Sequence, residues 1–277
     1  MNNQKELNYL ENINCLLCGS NQSTTLLSKS IDCHVFDIVK CKCEFVYLNP
    51  RPNDFYISIF YDNDYLPHNT NRISWILRIA QKITFYWKKS ILLNFSPISR
   101  NILDIGSGDG SFCNYMNKNE WKTLAYDKFA SNKSNFNFDT KFKNITMWHS
   151  LEHIHNIDDV FNKINSSIDN NGKLYIALPN FNSLDRIIFN KDWIAYDVPR
   201  HLYHFTPKTI SLLLDQNNYK IISSYPMYQD TIFNVFNSFN NKFFKFIFSP
   251  FIIFFIFIAI LINKNYSSSI LYICQKK

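Results

Sequence analysis

The feature that most constrains this chain is an apolar run, containing one acid, that leads directly into three alternating glycines. It occupies residues 102–110 and includes Asp104, Gly106, Gly108 and Gly110. The chain has 5 glycines in 277 residues, whereas average usage of about 7 per cent would give roughly 19. Glycine permits positive φ and lets a ligand approach the backbone closely. The pattern therefore predicts a buried strand that turns sharply into a helix beside a ligand.

Strand and helix patterns alternate after residue 100, which predicts a doubly wound α/β sheet. Helices are expected at residues 111–119 and 158–168. Strands are expected at residues 101–105, 122–126, 144–148, 173–178, 219–224 and 268–274, of which the last two should pair antiparallel. In such sheets ligands bind beyond the carboxyl ends of the parallel strands, where the glycine turn is expected.

Four cysteines near the N-terminus have the spacing of metal ligands. Two close pairs can place four thiolates around one tetrahedral Zn²⁺. The second pair is C-x-C, and Glu44 stands where such a turn usually has glycine, so Cys33 and His34 are alternative ligands. Ordinary reduced thiols are the other interpretation. The predicted ligands, in a zinc-ribbon-like module at residues 1–53, are Cys15, Cys18, Cys41 and Cys43.

An acid at the end of the second strand narrows the choice of cofactor. Asp127 lies about 20 residues beyond the glycines, where a carboxylate can bind a ribose diol. A dinucleotide site would have G-x-G-x-x-G and would hold a pyrophosphate. Asp104 would repel a pyrophosphate but can pair with an ammonium group. S-adenosylmethionine carries a ribose and such an ammonium group, and it is the predicted cofactor.

These residues resemble class I S-adenosylmethionine-dependent methyltransferases. The resemblance is carried by residues 102–112, Asp127, the segment Ile-Thr-Met-Trp-His-Ser-Leu-Glu-His-Ile at 145–154, and residues 172–180. A narrower resemblance is to a bacterial branch with a cysteine-rich N-terminal module. That resemblance rests on Trp193 and on Pro-Arg-His-Leu-Tyr-His-Phe at 199–205. It implies a Rossmann-like methyltransferase domain at residues 100–277.

The resemblance also implies roles for individual residues. The methionine end of the cofactor would contact Asp104, Gly106, Ser107 and Gly108, in the turn that ends at Gly110. Asp127 would bind the ribose, and Trp148 with His149 would form the floor near the sulfonium. A helical lid or linker at residues 54–99 would cover the cofactor with Tyr61 and Tyr65 on one helix face, or these tyrosines would simply pack as aromatic core. The segment at 128–143 is short for the family, so the adenine-contacting acid would be missing or replaced by Asp139.

Methyl transfer requires an aligned acceptor and removal of a proton. Histidine is the natural base near neutral pH. We predict His201 and His204 as catalytic, sharing one face of a short helical turn, with His149 as a further candidate and His153 as a structural residue. The predicted substrate-binding residues are Arg200, for an anionic acceptor, and Trp193.

The apolar segment at residues 246–262 predicts a location. As a helix it would be about 26 Å long, shorter than the roughly 30 Å hydrocarbon core of a bilayer. A single crossing would also separate the last two strands of one sheet. We therefore predict an apolar helical insertion at 229–265 that lies in the membrane interface, with Lys242, Lys245 and Lys264 at headgroup level. A helix packed on the sheet or in a dimer interface is the alternative.

The predicted function is methyl transfer to oxygen or carbon of a small or lipid-linked acceptor, by a cytoplasmic protein peripheral to the inner face of the membrane. Residues 1–14 have no apolar leader pattern. The net charge of +7 comes from 23 Lys and 6 Arg, whereas base recognition favours arginine, so no nucleic-acid partner is expected. An RNA-modifying methyltransferase and a non-catalytic binding protein with this fold are the alternatives.

Overall fold

A six-stranded mixed sheet forms the centre of the computed structural model, which describes residues 9–61, 75–128 and 140–277. The strands are β1 Leu10–Glu11, β2 Ser23–Ile31, β3 His34–Cys41, β4 Val46–Leu48, β5 Arg51–Pro52, β6 Asn101–Ile105, β7 Lys122–Tyr126, β8 Phe142–Trp148, β9 Ile168–Pro179, β10 Tyr203–His204, β11 Tyr219–Pro226 and β12 Ser269–Lys276. The helices are α1 Trp75–Phe95, α2 Ser111–Asn117, α3 Ile157–Ser167, α4 Leu184–Phe189, α5 Pro207–Gln216, α6 Tyr228–Asn237 and α7 Lys242–Ile262.

The strand order of the central sheet is β11-β12-β9-β8-β6-β7. Strands β6 to β9 are parallel, whereas β12 pairs antiparallel with both β9 and β11. The predicted doubly wound sheet and its antiparallel last pair are therefore confirmed. In the described part of the chain β7 is an edge strand, and the alternative adenine-contacting acid Asp139 lies outside the described residues.

The N-terminal residues form a second, four-stranded sheet of order β10-β4-β3-β2. Its edge strand β10 comes from the segment at 199–205, because the backbone edge of β4 offers that segment partners in antiparallel register. The Leu48 N–H donates to the Leu202 carbonyl at 2.9 Å, and Arg51 donates to the Tyr203 hydroxyl at 2.8 Å. The N-terminal module and the central domain thus share one buried core.

Strand β10 corrects the predicted helical turn for His201 and His204. His204 belongs to this extended pair, so the two histidines do not share a helix face. The next element agrees with the sequence, since α5 begins with the Thr206 cap and Pro207 at its first position.

The lid region is partly described. A short 3₁₀ helix covers Tyr56–Phe60, and Tyr61 follows its end with φ −110° and ψ 70°, outside the helical region. The prediction placed Tyr61 and Tyr65 on one helix face, but Tyr61 is not part of a helix. Tyr65 lies outside the described residues.

The two C-terminal helices form a hairpin between the last two strands. Helix α7 begins at Lys242, before the predicted apolar segment, so the expectation that this helix is too short to span a membrane was wrong. With 21 residues it is long and apolar enough to cross one by length and composition. Within it Ser249, Ile256 and Ile260 are buried, whereas many phenylalanines are exposed. Since β11 and β12 are adjacent and antiparallel, the end of β11 and the start of β12 lie at the same end of the sheet. The chain therefore enters and leaves the helical hairpin at that end.

Candidate functional site

A cavity of about 1300 Å³ opens at the carboxyl ends of the four parallel strands. It is larger than most small-molecule pockets, which enclose roughly 300–1,000 Å³. It therefore has room for two ligands side by side. Its walls include the last residue of each parallel strand, Ile105, Tyr126, Trp148 and Pro179, together with residues of α1, α6 and the segment at 194–201.

The glycine turn forms one wall of this cavity. Gly106, Gly108 and Gly110 all have positive φ, at 75°, 56° and 73°, which fits the prediction that the turn requires glycine. The Gly106 N–H donates to the Tyr126 carbonyl, and the Gly108 N–H donates to Asp127 Oδ2, both at 2.8 Å. The acid at the end of β7 is therefore held against the glycine turn, as a shared ligand site requires.

Asp104 lies at the inner end of the same wall. Its side chain is buried, with Oδ1 accepting a hydrogen bond from Thr146 Oγ1 at 2.6 Å. Burial raises the pKa of Asp104 to about 6, although Thr146 and the nearby Lys88 favour the charged form. A cationic ligand group in the cavity would stabilise the carboxylate. The two acids that the sequence predicts for one ligand thus line one cavity.

Lys88 is a cavity residue that sequence reasoning missed. Helix α1 places its buried ammonium 4.2 Å from the centre of the Trp148 ring, with the rings of Phe112 and Phe85 at 5.2 and 5.8 Å. Burial lowers the pKa of Lys88 to about 8, against the attraction of Asp104. No local motif distinguishes Lys88 from the other lysines of α1, so its role depends on the packing of α1 over β8.

His149 is held as a cation at the cavity wall. It has a positive φ of 53°, and its Nε2 lies 2.8 Å from Asp230 Oδ2, while its Nδ1 lies 3.6 Å from Glu152 Oε1. Burial on its own lowers the pKa of His149, but the two carboxylates outweigh burial and raise it well above its ordinary value. An imidazolium cannot accept a proton, so this geometry disfavours His149 as a general base. His149 remains a residue of the cavity wall.

Two further histidines face the cavity side by side. The rings of His153 and His201 are 4.7 Å apart and nearly perpendicular. Tyr61 reaches His153 Nδ1 with its hydroxyl at 2.9 Å. Burial and the neighbouring His201 lower the pKa of His153 to about 4, so its ring is neutral at pH 7. His153, predicted to be structural, thus belongs with His201 among the cavity residues.

The remaining residues of this segment have other surroundings. Arg200 lines the cavity and forms a bidentate ion pair with Asp197. His204 and Trp193 are buried away from the cavity wall. The His204 ring packs against Phe181 and Tyr196, and Trp193 Nε1 donates to Asp185 at 2.6 Å. The inward direction of both side chains leaves them no contact with a ligand in this cavity.

The predicted zinc ligands converge. The Sγ atoms of the four cysteines all lie within 4.8 Å of one another. The two Sγ atoms are 3.5 Å apart in the Cys15–Cys43 pair and also in the Cys18–Cys41 pair. Zinc–sulfur bonds of about 2.3 Å place tetrahedral sulfurs at similar separations. Glu44 adopts a φ of 73°, so it takes the conformation of the missing knuckle glycine. The donor set fits a structural Zn²⁺, with Cys33 exposed outside it.

Replacing Cys18 with serine is expected to reduce bound zinc from one equivalent per chain to much less, because one of four thiolate ligands is lost. Zinc released from purified protein with a thiol-blocking mercurial and a colorimetric chelator measures this. Cys33→Ser is the matched control and should keep its zinc. Equal zinc contents in the two variants would contradict the four-cysteine site.

Comparison with known proteins gives one family. A family model described as a methyltransferase domain matches residues 72–224, which is more than half of the chain. No curated protein sequence matches.

Solved methyltransferase structures resemble this chain at low sequence identity. The 1,6-didemethyltoxoflavin-N1-methyltransferase of Burkholderia thailandensis, solved with bound 1,6-didemethyltoxoflavin and S-adenosylhomocysteine, is 13% identical with a TM-score of 0.52. The match covers 90% of this chain and 99% of that chain. An S-adenosylmethionine-dependent methyltransferase from Archaeoglobus fulgidus is 18% identical, with a TM-score of 0.42 over 74% of this chain and 100% of that chain. The first likeness supports the same α/β fold.

Proposed function

This chain belongs to the class I S-adenosylmethionine-dependent methyltransferases, and we propose that it methylates an oxygen or carbon atom of a small or lipid-linked acceptor at the inner face of a membrane. The observation that carries the proposal is a single cavity with two chemically different ends. One end has the glycine turn and its acids. The other has the histidine pair. Residues of α6, which packs against the exposed helix α7, also line the cavity.

The donor end matches the charges of S-adenosylmethionine. Its methionine part carries an ammonium and a carboxylate, which complement Asp104 and Lys88 respectively. Asp127, at the end of β7, is placed for the ribose. Trp148 offers an aromatic face near the cationic sulfur, where a cation–π contact stabilises the charge. With the cofactor bound, the Lys88 ammonium would exchange its aromatic contacts for the cofactor carboxylate.

The acceptor end supplies proton removal and positioning. The sulfonium is a good electrophile, so the chain needs to hold the acceptor in line with the methyl group and to assist loss of a proton. We assign this assistance to His153 and His201, whose rings line the cavity. Arg200, fixed by Asp197, places a positive charge where an anionic acceptor group would lie.

The membrane location rests on α7. Its exposed phenylalanines form an apolar surface of a kind that marks protein or membrane contacts. Helix α6 lies between this surface and the cavity, since Asp230, Phe233 and Asn234 line the cavity. A lipid-linked acceptor held at the interface would therefore have a short path to the histidine pair.

Replacing Asp104 with asparagine is expected to weaken S-adenosylmethionine binding about 10–100-fold, because a charge-assisted hydrogen bond contributes about 1.5–3 kcal/mol. Calorimetry at pH 7.5 measures the effect. Because the pKa of Asp104 is about 6 in the free protein, the parent should lose affinity below pH 6, as the carboxylate takes up a proton and no longer attracts the ammonium. The asparagine variant should lack that step.

The exposed acid Asp215 provides the matched control, Asp215→Asn, which should bind like the parent. Absence of binding by the parent chain would contradict the proposed function. The acceptor is sought by mass spectrometry of lipid and glycan extracts from cells with and without the protein. A mass increase of one methyl group that depends on the protein and on Asp104 identifies it.

A further inference from the structure

Glu152 is a buried carboxylate whose long ion pair with His149 leaves both of its oxygens without a hydrogen bond in the described part of the chain. Its side chain is fully buried, and among residues 9–61, 75–128 and 140–277 neither carboxylate oxygen has a hydrogen-bond partner. Its nearest ion-pair partner, His149 Nδ1, is 3.6 Å away, beyond hydrogen-bond reach. Buried polar groups without partners are rare and point to a missing water or ion.

The neighbours of Glu152 are suited to an ion. One oxygen of Glu152 and one ring nitrogen each of His153 and His201 lie within 4.8 Å of one another. Two imidazoles and one carboxylate on one side of an ion form the ligand set of many divalent transition-metal sites, and they leave positions open for other ligands. The two histidines also line the cavity, so such positions would face it.

The hydrogen bonds of the two histidines favour Nε2 as the metal-binding nitrogen of each ring. His153 Nδ1 lies 3.0 Å from the Arg200 carbonyl, and His201 Nδ1 lies 2.8 Å from the Ala195 carbonyl. A carbonyl can only accept, so the Nδ1 of His201 carries the proton and its Nε2 keeps its lone pair. His153 Nδ1 also lies 2.9 Å from the Tyr61 hydroxyl, and the His153 tautomer that donates from Nδ1 to the Arg200 carbonyl leaves its Nε2 lone pair available to a metal. Histidines that bind metals usually donate their other nitrogen to a carbonyl or carboxylate in this way. His201 Nε2 is 3.7 Å from Asp197, too far for a hydrogen bond, and both Asp197 oxygens already bind Arg200.

We propose that Glu152, His153 and His201 bind one divalent first-row transition-metal ion at the acceptor end of the cavity. The role of this metal ion rests on the proposed methyl transfer, and it narrows the methyl acceptor to a hydroxyl group. The hydroxyl oxygen would coordinate the ion and lose its proton to water more readily. That oxygen then bonds to the methyl carbon while the carbon–sulfur bond breaks, and the electron pair stays on the sulfur of S-adenosylhomocysteine. In this arrangement His153 and His201 assist proton loss as metal ligands.

Manganese is the appropriate probe, because the thiolate cluster of the N-terminal module selects softer ions. Titration of the full chain with Mn²⁺, followed by the electron paramagnetic resonance signal of the free ion, should show one bound ion per chain. Glu152→Gln and His201→Asn should each weaken binding at least about 10-fold. Glu120→Gln removes an exposed glutamate elsewhere and should bind like the parent. No binding by the parent, or equal binding by Glu152→Gln, would overturn the site.

A spectroscopic measurement covers the case in which both variants fail to fold. Electron spin echo modulation of Mn²⁺ bound to the parent should show coupling to two imidazole nitrogens, and absence of that coupling also overturns the site. Calorimetry with S-adenosylmethionine on the same samples separates the two proposals. A chain that binds the cofactor but no Mn²⁺ loses the metal site alone, whereas a chain that binds Mn²⁺ but no cofactor loses the proposed function.

Discussion

Replacing Gly106 with alanine is expected to destabilise the fold by about 2–5 kcal/mol and to abolish S-adenosylmethionine binding. A Cβ at this position would lie 2.2 Å from Ser150 Cβ and 2.8 Å from Ser150 Oγ, whereas carbon atoms in contact stay about 3.5–4.0 Å apart. Ser150 cannot easily move aside, because it is buried and its hydroxyl donates to the Ile105 carbonyl at 2.8 Å. The strained turn would shift the backbone that meets the cofactor. Urea unfolding and calorimetry measure the two effects.

Gly110 supplies the matched control for this prediction. Its φ of 73° is close to that of Gly106, but a Cβ there would meet nothing within 4 Å. Gly110→Ala should therefore cost about 1–2 kcal/mol, for the backbone conformation alone. In Gly106→Ala combined with Ser150→Gly the clash is removed, so part of the lost stability should return. If the two single variants lose equal stability, backbone conformation rather than contact with Ser150 explains why glycine is needed.

Replacing Phe251, Phe254 and Phe255 together with serine is expected to weaken binding to anionic vesicles 100-fold or more. The three side chains lie on one helix face, at spacings of three and four residues, and are 63%, 60% and 66% exposed. Burial of a phenylalanine side chain contributes about 1.5–3 kcal/mol, and every 1.4 kcal/mol is tenfold in affinity. Sedimentation with vesicles of phosphatidylglycerol and phosphatidylcholine measures the effect.

The control for the triple variant of α7 is a second triple variant that loses exposed apolar side chains elsewhere in the chain. Val35, Phe55 and Ile98 are exposed on the N-terminal module and on loops, and their replacement with serine should leave vesicle binding unchanged. Because all six residues are exposed, both triple variants should fold, which circular dichroism checks. Equal vesicle binding by the parent and the Phe251, Phe254 and Phe255 variant would contradict the membrane role of α7. It would favour the alternative in which this surface packs against another protein chain.

Much of the framework follows from local patterns. The glycine turn, the strands at 101–105 and 122–126 and the acid after the second of them occur in the structure where the sequence places them. Backbone conformation and periodic burial depend on neighbouring residues, so a short stretch carries enough information to predict them. The convergence of the cysteine pairs is predictable for a related reason, since two closely spaced pairs of thiolates are the usual ligand pattern of a structural zinc site.

The acceptor side was predicted less well. The sequence favoured His201 with His204, whereas the structure joins His201 to His153 and Glu152 and turns His204 into the core. Tyr203 and His204 became strand β10 because the edge of β4 pairs with them, and His201 lies before this strand. A strand directs alternate side chains to opposite faces, so His204 does not share the direction of a helical turn with His201. Strand β4 lies about 150 residues earlier in the chain, so no local pattern could indicate this pairing.

By itself the sequence determined the parallel strands, the glycine turn and the residue types available for zinc, because each depends on a few consecutive residues. The tertiary structure alone decided which titratable side chains meet. Lys88 reaches Trp148 from α1, and Glu152 lies beside two histidines from separate segments. Such contacts depend on the packing of elements that are distant in sequence. In the packed interior, burial and the lack of competing water determine the charge state and the partners of each group.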